Sequence, residues 1–155
     1  MANRERGVTY LEMVATAGIV MILASAILPL ARVTVKRQRE IELRRALREI
    51  RTAIDKYHAA VEAGQIGGTD LKLGSEGYPP ELETLVKGVN QVGKLDHKLK
   101  FLRRIPHDPV TGTGDWGMRC YQDEPDASFW CGDNIYDVYT KSEGTGLDGV
   151  KYREW

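Results

Sequence analysis

The sequence predicts an α+β protein in which a long N-terminal helix, half membrane-spanning and half amphipathic, packs on a small three-stranded antiparallel sheet. Three observations support this class. Residues 8–30 form an almost uninterrupted apolar run, a helical apolar stripe follows it, and three short strand-like runs occupy the C-terminal third. A chain of 155 residues has room for a membrane helix and one domain of ordinary size.

The apolar run contains one charged residue, Glu12, among its 23 residues. As a helix it would be about 34 Å long, which exceeds the roughly 30 Å of a bilayer core. A carboxylate costs roughly 2.5–3.5 kcal/mol at the centre of that core and less near the edge, where Glu12 would lie. A charge kept at such a cost indicates a function and predicts a cationic partner.

The helical pattern continues beyond Pro29, so we expect a kink there rather than an end. Apolar residues recur mostly at three- and four-residue steps, with charges between them. They are Ile41, Leu43, Leu47, Ile50, Ile54, Tyr57 and Val61. Three glycines within 64–68 supply the stop. The predicted helix covers residues 8–63 and is about 84 Å long. Residues 31–64 are its amphipathic continuation, and the apolar stripe there must be buried against other residues.

Residues 65–155 are predicted to be a globular head that supplies this cover. Its first elements are a glycine- and proline-rich loop at 65–79 and a short helix at 80–87, which has prolines at its start and a glycine after it. A short extended piece is expected at 101–102.

Three strands are predicted in the remainder of the head, at 116–121, 128–131 and 135–140. Turn-forming clusters separate them, and the short connections favour antiparallel pairing. The tail, 142–155, contains three glycines and is expected to be loop.

Charge is distributed unevenly along a chain whose net charge is zero. Residues 32–51 carry eight basic and three acidic side chains, whereas residues 115–155 carry nine acidic and four basic ones. A stem at +5 and a head at −5 suit stacking of copies, stem against head. Two solvated faces with no mutual contact are the alternative.

The two cysteines, Cys120 and Cys131, lie eleven positions apart in a turn-rich region. In an exported head, a disulfide closing that loop would contribute about 2–4 kcal/mol to stability. In a cytosolic head, two reduced thiols are expected instead. Two cysteines without paired histidines do not indicate a zinc site.

The N-terminus resembles a class III prepilin signal of the type IV pilin-like superfamily. The resemblance rests on a short charged leader ending at Gly7, on Glu12 at the fifth position after it, and on the hydrophobic helix. It implies that a prepilin peptidase cuts after Gly7 and methylates Val8, where the family most often has Phe; many members have a proline at the place of Pro29. The freed amine of a neighbouring copy would be the cationic partner of Glu12.

The head resembles the major pseudopilin of type II secretion in the order of its motifs. These are Tyr78-Pro79-Pro80 with the short helix, 105–109, 111–117, 137–140 and the closing Trp155. The resemblance implies a pilin-like fold and a calcium site in the loop 142–149.

That calcium site would use carboxylates and main-chain carbonyls, and Glu143 and Asp148 are the carboxylates available in the loop. No regular calcium-loop motif is present. A loop closed by hydrogen bonds and by packing of Tyr152 and Trp155 is the alternative.

These features predict a structural subunit of a periplasmic pseudopilus that drives type II protein secretion. By resemblance, its partners are further copies in a helical filament, an inner-membrane assembly platform and minor pseudopilins. The chain would cross the inner membrane once, with the head in the periplasm. The positive-inside tendency favours the opposite orientation, because the basic stem follows the apolar run; the leader signature is the more specific signal.

Two other functions stay open: a type IV pilin for adhesion, motility or DNA uptake, and a single-pass anchored binding protein that never polymerises. The sequence predicts no enzyme, since it lacks the common catalytic motifs and its histidines (His58, His97 and His107) are scattered. Asp108 and Asp115 are expected in turns. An acidic head predicts no nucleic-acid partner, and no cofactor besides calcium is expected.

Overall fold

A computed structural model of the chain describes residues 7–67, 71–72, 74–94 and 97–155, with the backbone alone at 26–29. The chain forms two compact units, Met1–Gln38 and Arg39–Trp155. Residues 1–6 of the predicted leader 1–7 lie outside the described residues. So does the side chain of Pro29, where a kink is predicted.

Helix α1 covers Tyr10–Glu62 and confirms the long N-terminal helix. It begins after Thr9, whose hydroxyl oxygen accepts the backbone N–H of Glu12 at 3.3 Å, as an N-cap residue does. Beyond its C-terminus Gly64 takes a positive φ of 67°. The N–H groups of Gly64 and Gln65 donate to carbonyls of the last turn, so the orphan acceptors there are satisfied.

In the second unit, one apolar stripe of α1 forms one side of the hydrophobic core. Its buried side chains are Leu43, Ala46, Leu47, Ile50, Ala53, Ile54, Tyr57 and Ala60. Val61 is partly buried against the same cluster. Ile41, expected on the stripe, is 55% exposed, because two residues turn a helix through about 200° and place it opposite Leu43.

The head covers this stripe with short elements. Helix α2, Leu82–Lys87, buries Leu82 and Leu85 and begins two residues after Pro80, which marks its predicted start. Trp116, Ile135 and Val138 join the same buried cluster. The indole N–H of Trp116 donates to the carbonyl oxygen of Pro106 at 2.9 Å, so the ring is buried without an unsatisfied polar atom.

The single three-stranded sheet predicted for the head is wrong. Among the described residues, four short strands form two separate antiparallel pairs. Strand β1, Val89–Asn90, pairs with β2, Lys98–Leu99, and β3, Gly117–Arg119, pairs with β4, Asp137–Tyr139. The predicted strands at 116–121 and 135–140 thus contain β3 and β4.

The predicted strand at 128–131 does not form, because tertiary contacts hold this segment in another way. A disulfide joins Cys131 to Cys120, and the indole N–H of Trp130 donates to the carbonyl oxygen of Asn134 at 2.7 Å. Phe129 is 86% exposed. The segment therefore has no alternating buried face to align against a neighbouring strand.

The pair β1–β2 has no clear sequence signal, because each strand is only two residues long, one apolar and one polar. Gly88 precedes β1 with a φ of 80°, and a Cβ there would lie 2.7 Å from the carbonyl oxygen of Leu99, so the approach of β2 requires glycine. Residues 101–102 are not a strand. Their N–H groups both donate to the carbonyl oxygen of Leu85 at 3.0 Å, next to the end of α2.

The tail is more ordered than the expected loop. Thr145 forms an isolated antiparallel bridge with Lys151, and a 3₁₀ helix covers Tyr152–Glu154. The ring of Tyr152 contacts that of Trp155 edge-on, with centroids 4.9 Å apart. The tail is therefore a packed part of the head.

Replacing Ile50 by Ala should lower the free energy of unfolding of the head by about 2–5 kcal/mol, because a fully buried side chain leaves a cavity. Ile41→Ala, on the exposed side of α1, is the matched control and should cost less than about 0.5 kcal/mol. Urea unfolding of the full chain in detergent, followed by tryptophan fluorescence, measures both. Equal losses would contradict the assigned buried face.

Candidate functional sites

The residues expected to be processed lie at the N-terminal end of α1. Gly7, Val8 and Thr9 precede the helix without regular structure, and Val8 is 66% exposed. Exposed, irregular backbone is what a protease needs for access. A cut after Gly7 would leave a free amine two residues before α1 begins.

Glu12 lies in the first turn of α1. Thr9 and Glu12 have the spacing of a capping box, and the bond from the Glu12 N–H to the Thr9 hydroxyl is its first half. The positive end of the helix dipole also favours a carboxylate here. This local role is not part of the sequence prediction, although the spacing signals it. No ion pair between described side chains includes Glu12.

The N-terminal part of α1 exposes its apolar side chains. Leu11, Val20 and Leu23 are 61–78% exposed. Among the described residues, α1 is the one helix long and apolar enough to cross a membrane, which is consistent with a single-pass anchor. Its hydroxyl groups, such as those of Thr16 and Ser25, donate to carbonyls of the preceding turn, so they need no partner outside the helix.

In the second unit, the basic face of α1 meets the acidic head within one chain. Arg44 pairs with Asp148 at 2.8 Å, and Arg51 pairs with Asp137 at 2.6 Å. The Arg44 guanidinium also lies 4.1 Å from the ring centroid of Trp155. Part of the stem-to-head complementarity predicted between copies is therefore used inside each chain.

The two ion pairs differ in strength because their burial differs. Arg44 and Asp148 are both well exposed, and such a pair contributes about 1 kcal/mol at most. Arg51 donates through Nε and Nη2 to both carboxylate oxygens of Asp137, and Arg119 approaches the same carboxylate at 3.2 Å. The Arg51 Nη2 also donates to the carbonyl oxygens of Val138 and Trp155. The planar guanidinium of Arg51 therefore holds β4 and the end of the tail against α1.

A buried carboxylate on α1, that of Glu40, holds the loop 142–149. Its Oε1 accepts the backbone N–H of Leu147 at 2.9 Å and the hydroxyl of Tyr152 at 3.0 Å. Sequence reasoning missed Glu40. The available signal was its spacing, since it lies three residues before Leu43, at the edge of the apolar stripe.

Burial raises the pKa of Tyr152 to about 12, and its hydrogen bond to Glu40 and the negative charges of Glu40 and Asp148 act in the same direction. The phenol therefore stays protonated at physiological pH. Its hydroxyl can then act as a permanent donor to the Glu40 carboxylate.

The predicted calcium carboxylates line different depressions. Asp148 faces Arg44 and Trp155, and its Oδ1 accepts the N–H of Val150 at 3.0 Å. Glu143 lies beside Lys141, Lys151 and Arg153.

The main chain of this loop is also engaged in its own hydrogen bonds, with the N–H of Gly146 donating to the carbonyl oxygen of Val150 and that of Tyr152 to Gly144. In this arrangement the donor set does not fit a calcium ion, which needs six to eight converging oxygens. Calcium binding stays a prediction from the resemblance.

The cysteines close the loop between β3 and the segment before β4. Their Cα atoms lie 6.0 Å apart and their sulfurs are bonded. The carboxylate of Asp123 lies within 4.8 Å of both sulfurs, and the three side chains have the donor types of a metal site. Because the disulfide uses both cysteine sulfurs, the two cysteines act here as a cross-link. The carboxylate of Asp123 accepts the backbone N–H of Cys120.

The other candidate polar residues have separate structural partners. Asp108 is fully buried, where it accepts the N–H of Val110 at 2.7 Å and the hydroxyl of Thr140, as a turn residue does. Asp115 is exposed and pairs with Lys141 at 2.7 Å. His58 stacks on Tyr78, with ring centroids 4.3 Å apart.

Comparisons of the chain with protein-family models, with curated proteins and with solved structures find no match. The resemblance to pilin-like proteins therefore stays a prediction from the motifs.

Replacing Glu40 by Ala should lower the free energy of unfolding by about 1–3 kcal/mol, because Leu147 N–H and the Tyr152 hydroxyl lose their buried acceptor. Glu40→Gln keeps a carbonyl oxygen at that place and should cost about half as much or less. Urea unfolding of the full chain and hydrogen exchange at the Leu147 amide report the two effects. If both variants lose the same stability, Glu40 does not act as this acceptor.

Proposed function

We propose that this chain is a structural subunit of a periplasmic, pseudopilus-type filament that serves type II protein secretion. The observation that carries the proposal is the arrangement at the start of α1. A glycine outside regular structure is followed, five residues on, by a carboxylate in the first turn of a helix whose apolar side chains are exposed. The subunit works by polymerising and not as an enzyme.

The carboxylate of Glu12 is costly when it is unpaired in an apolar environment. Inside a membrane or a bundle of apolar helices, the charged Glu12 side chain is unfavourable unless a cation pairs with it. A prepilin peptidase cutting after Gly7 would create such a cation, the methylated amine of Val8. In a stack of parallel helices, the amine of one subunit and Glu12 of the next meet only at one axial offset. Pairing therefore sets the register of the filament.

The disulfide supports the proposed location of the head. A bond between Cys120 and Cys131 favours an oxidising compartment, which supports export of the head to the periplasm over the orientation that the basic stem favours. The partners inferred from the resemblance are a prepilin peptidase, an inner-membrane assembly platform and minor pseudopilins. The filament would push exported proteins towards the outer membrane.

The native protein isolated from membranes should begin at methylated Val8, because the bond after Gly7 is cut. Mass spectrometry of the N-terminus measures this directly. A variant with a bulky residue, Gly7→Val, should retain residues 1–7 and serves as the control. If the native chain also retains residues 1–7, the chain is instead a single-pass anchored protein that does not polymerise.

Glu12→Ala should insert into the membrane as the native chain does but should form few or no filaments, because the neighbour's amine loses its partner. Ser25→Ala is the matched control, since its hydroxyl bonds only within α1 among the described residues. Membrane fractionation and electron microscopy of sheared filaments provide the two readouts. Abundant filaments from Glu12→Ala would contradict the pairing.

Long surface filaments at native expression, with secretion unaffected by deletion of the protein, would favour a type IV pilin.

A further inference from the structure

A basic groove of about 540 Å³ runs between α1 and the segment 101–103. Its apolar floor is formed by Ala53, Phe101 and Leu102. Its charged rim carries Arg45, Arg48, Lys56 and Arg103 against the single carboxylate Glu49. The net charge of this lining is therefore +3, and all five charged side chains are exposed.

The basic residues of the groove differ from their neighbours on the stem. Arg44 and Arg51 are neutralised by acidic residues of the head, as described above. Among the described residues, no ion pair includes Arg45, Arg48, Lys56 or Arg103. A cluster of like charges around an apolar floor raises the electrostatic potential and favours an acidic partner.

The disulfide loop, residues 120–131, has the opposite charge. It contains Asp123, Glu124 and Asp126 and no basic residue, so its net charge is −3. Glu124 and Asp126 are exposed, and no ion pair between described residues includes them. The loop is held in place at Ala127, whose carbonyl oxygen accepts from Arg119 and Arg153.

The same loop exposes an aromatic side chain. Phe129 is 86% exposed although the loop around it is cross-linked and hydrogen-bonded. An exposed aromatic residue in a cross-linked loop with polar neighbours has the composition of an interface anchor. On the floor of the groove, the partly exposed ring of Phe101 offers a surface that an aromatic ring can cover.

We propose that the disulfide loop of one copy docks in the basic groove of a second copy. The charges match at −3 against +3, and Phe129 would lie on the floor around Phe101. No described hydrogen bond or ion pair joins the loop to the groove within one chain, so both surfaces are available to a neighbour. This inference rests on the proposed filament, because a contact between two different surfaces propagates from copy to copy without closing a dimer.

Charge reversal on both sides tests the docking in the full-length protein. Arg103→Glu and Glu124→Arg should each reduce filament yield by about tenfold or more, because each places like charges together, and the double variant should recover most of the yield. Arg104→Glu is the matched control, since Arg104 is exposed next to Arg103 but does not line the groove. Normal yields from both single reversals would overturn the docking and leave the filament proposal standing.

Photo-crosslinking gives a readout that does not depend on filaments. A photoreactive phenylalanine analogue at position 129 of the full chain, in native membranes, should form covalent dimers. Mass spectrometry should locate the second end of the link within 45–56 or 101–103. Links to another part of the chain, to lipid, to nucleic acid or to a different protein would overturn the docking.

The two measurements separate the two proposals. A native chain that keeps residues 1–7 and forms no filaments contradicts the proposed function, while the crosslink in membranes still decides whether loop and groove meet. Raised salt during irradiation should also lower the yield of the crosslinked dimer, since the pairing charges are exposed.

Discussion

The fold of residues 39–155 depends on covering the apolar stripe of α1. A helix with Leu43, Leu47, Ile50 and Ile54 on one face cannot leave that face in water, since each such side chain contributes about 1.5–3 kcal/mol when buried. The cover has little regular structure of its own. Its strands are two or three residues long, so packing against α1, and not a sheet, holds the head together.

Hydrophobic burial alone does not fix the orientation of the cover on the stripe. Polar contacts on one flank of the stripe fix it. Glu40, Arg44 and Arg51 lie at four- and seven-residue spacings along α1, and each binds a residue between 137 and 155. Together they fix which part of the tail lies opposite which turn of the helix. The same contacts explain the closure of the loop 142–149, because a carboxylate from α1 accepts the N–H of Leu147 and the hydroxyl of Tyr152.

The sequence predicted those features whose signals are local. The period of 3.6 and the glycines after residue 63 located α1, and the turn-forming clusters that bound the runs 116–121 and 135–140 located β3 and β4. It failed at 128–131, where a disulfide and the indole of Trp130 decide the conformation through distant partners. It missed Glu40 because the acceptor role appears only when Leu147 and Tyr152 approach. Gly7, Val8 and Glu12 could be read as a motif, whereas the cationic partner predicted for Glu12 is not among the ion pairs of the described residues.

The two parts of α1 pose opposite physical problems. The second part buries its stripe inside its own chain, but the first part leaves Leu11, Val20 and Leu23 exposed and needs an apolar environment from outside. Lipid tails and neighbouring helices satisfy that need about equally well, so hydrophobicity alone gives no reason for such helices to bundle or to choose a register. A directional interaction is needed to set the register of the helices. In a filament of the kind proposed, the carboxylate of Glu12 can do so, because it gains far more from one positive partner than apolar side chains gain from exchanging lipid for protein.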